Sequence, residues 1–244
     1  MCSSNKRFLL ISIIIFILFV TFACAPPPYR KHPEFETRST AVGNPGLIPP
    51  DIKIYELTAG GLHELRDDWS EIGKENCLSS VTECLKEKNC PTECLAIDKE
   101  MEEKLEDILA LYRAVSTSIH LHTYPGVAYF PEKEKNFRYS IGPLQDVLEE
   151  FGVDSLVFVY GFDEISTGGR QALMAASIII GAFTGVYMGP RAGVTFVSVA
   201  VVDSSGDILW YDVSASSGEH DLRNPETTQK LFKLIFADFP QLVK

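Results

Sequence analysis

The sequence predicts an α/β fold: a mixed sheet of about five strands flanked by helices, ending in a β-hairpin and a C-terminal helix. Three observations carry this expectation. Leu156-Val157-Phe158-Val159-Tyr160 is a continuous apolar run, the mark of a strand buried on both faces. Val194–Val202 and Ile208–Val213 flank Asp203-Ser204-Ser205-Gly206-Asp207, a turn-rich linker of hairpin length. Upstream, shorter apolar segments alternate with stretches of helical period, which is the order of an α/β sheet with helices packed against it.

The elements follow in order. Ile52, Ile54, Tyr55 and Leu57 form a short strand that stops at Ala59-Gly60-Gly61. Asp67-Asp68-Trp69-Ser70 opens a helix running to about Glu87, with acids in its first turn as the helix dipole favours. Leu95-Ala96-Ile97 reads as a small second strand. Asp98 caps a long helix to about Leu121, whose Met101, Leu105, Ile108, Tyr112, Val115 and Ile119 recur at helical period as one buried stripe. Tyr124-Pro125-Gly126 breaks that helix, and the aromatic stretch to Tyr139 reads as loop or edge. Ile141–Phe151 is amphipathic and ends at Gly152. Asn224-Pro225-Glu226 supplies a cap and a proline at the first helical position of the last helix, which runs to Asp238-Phe239-Pro240.

The amino terminus has its own pattern. Lys6 and Arg7 precede an uncharged run from Phe8 to Phe22 and then Ala23-Cys24-Ala25-Pro26-Pro27-Pro28. A positive start, a short apolar run and a small residue before the cut describe a secretory signal peptide. The cysteine directly after that small residue resembles a bacterial lipoprotein signal, which implies diacylglycerol on Cys24, cleavage before it and a chain held on a lipid bilayer. An uncleaved apolar anchor and ordinary cleaved export are the competing readings, and all three put the remainder outside the cytoplasm. Ala25, rather than Asp, after the cysteine resembles the sorting pattern of outer-membrane lipoproteins. The expected organisation is a signal over residues 1–23, a Pro-rich tether over 24–50 and a single domain over 51–244.

Charge excludes one class of partner. The full chain has 22 basic and 33 acidic residues and a net charge of −11. Loss of residues 1–23 removes Lys6 and Arg7 but no acid, leaving −13. A field of that sign repels phosphate, so a nucleic acid is not an expected partner.

Cys77, Cys84, Cys90 and Cys94 form an even set, which in an oxidising compartment is the context for disulfides. A helix over Asp68–Glu87 with a turn at Asn89-Cys90-Pro91 favours nested pairs, Cys77 with Cys94 and Cys84 with Cys90. A single bridge or a zinc site competes, although the paired C-x2-C spacing of zinc sites is absent. No other metal or cofactor is expected.

The order of the last hundred residues resembles a known group. A strand at Val153–Tyr160, an interruption, Val194–Val202, Asp203-Ser204-Ser205-Gly206-Asp207-Ile208-Leu209-Trp210 and a terminal helix look like the α/β domain of envelope lipoproteins. That group includes the curli-secretion lipoprotein and the amino-terminal domain of TolB. The resemblance implies an envelope α/β domain and no shared active site, so no catalytic residue comes with it.

The interruption is the most unusual stretch. From Gln171 to Pro190 twenty residues carry no charge, and Gly181, Gly185 and Gly189 recur every four. That small-residue spacing suits close helix packing, and a helix apolar all round must be buried in something. Core, contact with a second copy or another envelope protein, and membrane contact are the three readings. Gly181, Phe183, Gly185, Tyr187 and Gly189 are the candidate contact residues.

Candidate chemistry is thin. No nucleophile elbow, zinc-protease helix or phosphate loop is present. His120 and His122 diverge if helical and read as solvated histidines, and Glu219-His220-Asp221 reads as a polar loop. Ser166-Thr167-Gly168-Gly169-Arg170 reads as a turn and cap, with anion binding the alternative. Asp163 and Glu164 are the acids available for a hydrolase, but neighbours on a strand face opposite sides. The expectation is a membrane-tethered, non-enzymatic envelope lipoprotein that binds proteins or itself, with a ligand-binding module or a hydrolase as alternatives.

Overall fold

The computed structural model describes residues 28–38, 42–126 and 128–241. The described chain forms a mixed eight-stranded sheet with seven helices: β1 (Arg30–Lys31), α1 (Phe35–Arg38), β2 (Pro45–Leu47), β3 (Asp51–Leu57), β4 (His63–Leu65), α2 (Asp67–Glu87), β5 (Glu93–Cys94), α3 (Lys99–Thr123), α4 (Pro131–Lys135), α5 (Gln145–Phe151), β6 (Ser155–Ser166), α6 (Gly168–Thr184), β7 (Thr195–Asp203), β8 (Ile208–Ser216) and α7 (Pro225–Ile235). The α/β class and the mixed sheet are those the sequence predicts. The strands beyond the expected five are pieces of two or three residues, too short for a period to show.

The twelve-residue β6 organises the sheet. β7 pairs with it antiparallel from Ser155↔Asp203 to Asp163↔Thr195. On its other side β2 pairs in parallel with Ser155–Val157, and β3 with Tyr160–Ser166. Between β2 and β3 stand Pro49 and Pro50, which have no N–H for a ladder. Alternation along β6 sends Val157 and Val159 to a core shared with α2 and α7, and Leu156 and Phe158 to one shared with α3 and α5.

Caps explain the helix starts. The Asp98 carboxylate accepts from Met101 N–H at 2.9 Å, and Asn224 Oδ1 accepts from Glu226 N–H and Thr227 N–H. Met101, Leu105, Tyr112 and Ile119 of the expected stripe are buried. A buried hydroxyl cluster fastens α3 to the sheet: Ser116 Oγ donates to Ser198 Oγ (3.0 Å) and sits 3.0 Å from Tyr211 Oη.

Several expectations shift. The second strand lies at Glu93–Cys94, because Glu93 and Cys94 pair with β2 and Leu95 drops its side chain onto Gly46. α5 begins at Gln145, not Ile141: the preceding segment is held against the β7–β8 turn, with Ile141 N–H donating to Gly206 O. The aromatic stretch contains the short helix α4, and α7 stops at Ile235, leaving Phe236 and Phe239 to pack on Trp210.

The largest shift concerns the tether. Cys24 and the other residues before Pro28 lie outside the described residues, but the described residues from Arg30 onward in the stretch expected to run free are folded. β1 pairs with β8, and Phe35, Val42, Leu47 and Ile48 are buried. Arg38 forms ion pairs with Asp203 and Asp207 at the β7–β8 turn. Enough apolar residues sit among the prolines to join the core, which proline content alone conceals.

Neither expected disulfide is formed: Cys77, Cys84 and Cys94 are free thiols. Cys77 is turned into the core shared by α2 and α7, whereas Cys94 lies exposed on an edge strand, so the two cannot meet. Cys84 faces Gln229 of α7, its Sγ 4.0 Å from Nε2. Burial pushes the Cys84 thiol up to about 11 and raises that of Cys77 further. Because the thiolate is the reactive form, Cys94 should be alkylated in the folded protein while Cys77 and Cys84 react only on unfolding. Mass spectrometry after maleimide pulses with and without denaturant measures this; rapid native labelling of Cys77 would contradict it.

Candidate functional site

β6 delivers the chain directly into α6 at one end of the sheet, and β7 receives it back. Thr167 caps the helix, its Oγ1 accepting from Arg170 N–H at 3.3 Å. Arg170 is the one buried residue of the helix. Its guanidinium turns inward, Nη1 donating to Thr58 O (3.1 Å) and Nη2 and Nε to Arg191 O (2.9 and 3.2 Å). It therefore ties the outgoing and returning chain together. Of the backbone N–H groups at this helix start, those of Arg170 and Gln171 are taken by Thr167 Oγ1 and O, the arrangement of a turn and cap.

Arg191 closes the base from the other side. Its Nη1 and Nη2 donate to Glu164 Oε2 and Oε1 at 2.7 and 3.0 Å, a bidentate pair, and His63 Nδ1 lies 3.2 Å from Oε1. Beside this clamp, Asp163 is buried. Thr195 Oγ1 donates to its Oδ1 (2.8 Å) and Leu222 N–H to its Oδ2 (2.9 Å). Burial pushes the Asp163 carboxyl up to about 6, against the downward pull of those two donors. Each acid weighed for hydrolysis is thus held in a structural contact at the hairpin base.

Beyond the base the hairpin is bare. Ile178, Ile179 and Ile180 are each about 60% exposed, and Phe183 and Met188 are both 88% exposed. Leu173, Val186 and Tyr187 are exposed as well. The core reading is therefore overturned: among the described residues no layer of the domain covers this segment. The glycine spacing does not make a packing ridge either. Gly185 terminates the helix with φ +74°, its N–H donating to Gly181 O, and Gly189 lies past the helix, where a Cβ would meet Ser177 and the Tyr187 ring. Gly181 faces the backbone of Val186 and Tyr187. The three glycines serve the reversal of the chain, while Phe183 and Tyr187 remain on the surface.

The chain matches no protein-family profile and no curated protein. It is similar in structure to the PelC dodecamer from Paraburkholderia phytofirmans at 11% identity, with a TM-score of 0.31 over 83% of this chain and 91% of that one. A point variant of the PelC dodecamer from the same organism gives the same values.

The remaining candidates resolve locally. His120 is packed against Phe196 and Tyr124, with burial lowering its affinity for a proton, rather than solvated as expected. His122 Nδ1 is 3.1 Å from Ser118 Oγ and its ring meets Phe130. His220 Nδ1 is 2.9 Å from Ser216 Oγ, and Asp221 accepts from Arg223. Among the described residues no group of three or more His, Cys, Asp or Glu is placed to hold a metal ion. The Arg170 and Arg191 clamp escaped the sequence reading, although both residues bracket the uncharged run and so mark its two ends.

The shifted acid has a measurable consequence. A folded-state pKa of about 6, above the ordinary value of 3.8, means the folded state holds the proton more tightly. The stability this contributes is complete below about pH 3.8 and is lost as pH rises through 6. A shift of this size corresponds to about 3 kcal/mol. Asp163→Asn should remove that component, so denaturant titrations from pH 4 to 7.5 should show a smaller decline for the variant than for the wild type. Parallel pH profiles would show that Asp163 is not the source.

Proposed function

We propose that this chain is a membrane-tethered, non-enzymatic docking protein of the bacterial envelope. The observation that carries this reading is the exposed, uncharged hairpin around α6. Contiguous apolar surface of this kind marks an interaction site, because water otherwise disfavours it. The amino-terminal pattern from Lys6 to Cys24 supports export and a lipid anchor on Cys24. Among the described residues no helix is long and apolar enough to cross a membrane, so that amino-terminal segment is the source of attachment in this reading.

Docking is favoured over hydrolysis by the state of the acids. Asp163 is engaged by Thr195 and Leu222, and Glu164 is clasped by Arg191. Hydrolysis of a glycosidic bond needs two carboxyls facing one another across a cleft, and adjacent residues on β6 point to opposite faces.

The reading predicts that the hairpin is covered in the cell. With Phe183→Cys in the full-length chain, a membrane-impermeant maleimide admitted to the envelope should label exposed Cys94 while position 183 stays protected. The readout is peptide mass mapping of the two sites in the same sample. Equal labelling at both would mean that nothing occupies the hairpin, and the docking role would fall.

A further inference from the structure

We infer that the α6 hairpin dips, tip first, into the same lipid bilayer that receives the amino-terminal apolar segment, so that the domain is held on the membrane at two points. The inference rests on the docking reading and names its partner. Two independent observations lead to it, and a further one is compatible with it.

The first is the distribution of apolar side chains. Ile178, Ile179 and Ile180 alone sweep about 200° around the helix axis, and all are exposed together with Leu173 and Phe183. A single protein partner covers one face of a helix and leaves the opposite face wet. A medium that surrounds the helix covers every side, as a bilayer does.

The compatible observation is the treatment of polar atoms. Ser177 Oγ donates to Leu173 O (2.8 Å), Thr184 Oγ1 to Ile180 O (3.0 Å) and Tyr187 Oη to Pro190 O (2.7 Å). At the tip, Gly185 N–H donates to Gly181 O and Val186 N–H to Thr184 Oγ1. In hydrocarbon there is no water, and internal satisfaction is the requirement. Exposed Thr117 of α3 makes the same bond to Arg113 O (2.8 Å), so this pattern permits immersion without requiring it.

The second is direction. β1 runs antiparallel to β8, with Arg30 opposite Tyr211 and Lys31 opposite Trp210. Going back from Arg30, the chain therefore heads toward Ser216, which pairs with Thr195 at the start of β7. That is the end of the sheet from which α6 departs. Six residues separate Cys24 from Arg30, a reach of at most about 20 Å. Five residues of β8 beyond Tyr211 span about 17 Å. The described chain thus begins at the hairpin's end of the molecule, the end at which an anchor on Cys24 would bring the bilayer.

Topology limits the immersion to a dip. Both ends of the segment return to the sheet, at Ser166 and Thr195, so it enters and leaves from one side. Its seventeen helical residues extend about 26 Å, with the capped turn at Gly185 leading.

The test uses the full-length chain in intact cells, with the photocrosslinker p-benzoylphenylalanine placed at position 183 or, as control, at position 204. Ser204 is exposed in the β7–β8 turn, at the opposite end of the sheet. Irradiation followed by mass spectrometry should find phospholipid adducts at 183 several-fold above those at 204. Lipid adducts equal at the two positions, or protein adducts alone at 183, would overturn the membrane inference; the second result would leave the docking surface standing. No adduct of either kind at 183 would remove both.

Discussion

The backbone ladder of β6 is the interaction on which the rest of the molecule depends. It is hydrogen-bonded to β7 on one side and to β2 and then β3 on the other, so its backbone groups find partners without water. Its alternating side chains divide the apolar interior into two cores and so decide which helices lie on which face. Close approach within this ladder is tight. A Cβ added at Gly161 would stand 2.5 Å from Phe196 O, which leaves room only for glycine at the middle of the strand. The same strand launches α6, and the register with β7 fixes where the returning chain must land.

Legibility in the sequence followed the range of the interaction involved. The long α3 helix, the β7–β8 hairpin and the Asn224 cap depend on neighbours within a few residues, and each is visible as period, turn composition or cap. β2 and β5 depend on partners a hundred residues away or on each other, and Pro45-Gly46-Leu47 carries no local strand signal. The same holds for Arg30 and Arg38. Arg30 Nε donates to Thr123 O at 3.1 Å, and Arg38 reaches a turn more than 160 residues away. A proline-rich stretch with such anchors reads as a free tether until its distant partners are placed.

The candidate site was legible in composition but not in form. Twenty uncharged residues announce a segment that water should not see, and composition alone leaves core, interface and lipid equivalent. What removes the core reading is tertiary: the Arg170 and Arg191 clamp holds both ends at the rim of the sheet and leaves the rest beyond it. The glycine repeat shows how spacing can mislead. Four-residue periodicity implies a helical ridge only while the helix continues, and Gly185, in the left-handed conformation, ends it.

The pairing of β1 with β8 also gives the domain a mechanical character. β1 lies antiparallel to β8, so a pull along the strand axis at Arg30 loads the β1–β8 hydrogen bonds in shear rather than peeling them one at a time. Arg30 resists the same displacement through Thr123, at the carboxyl end of α3, and the Tyr124 ring lies 4.0 Å from its guanidinium. Load applied to the chain at Arg30 is therefore carried into the centre of the fold, through β8 on one side and the end of α3 on the other.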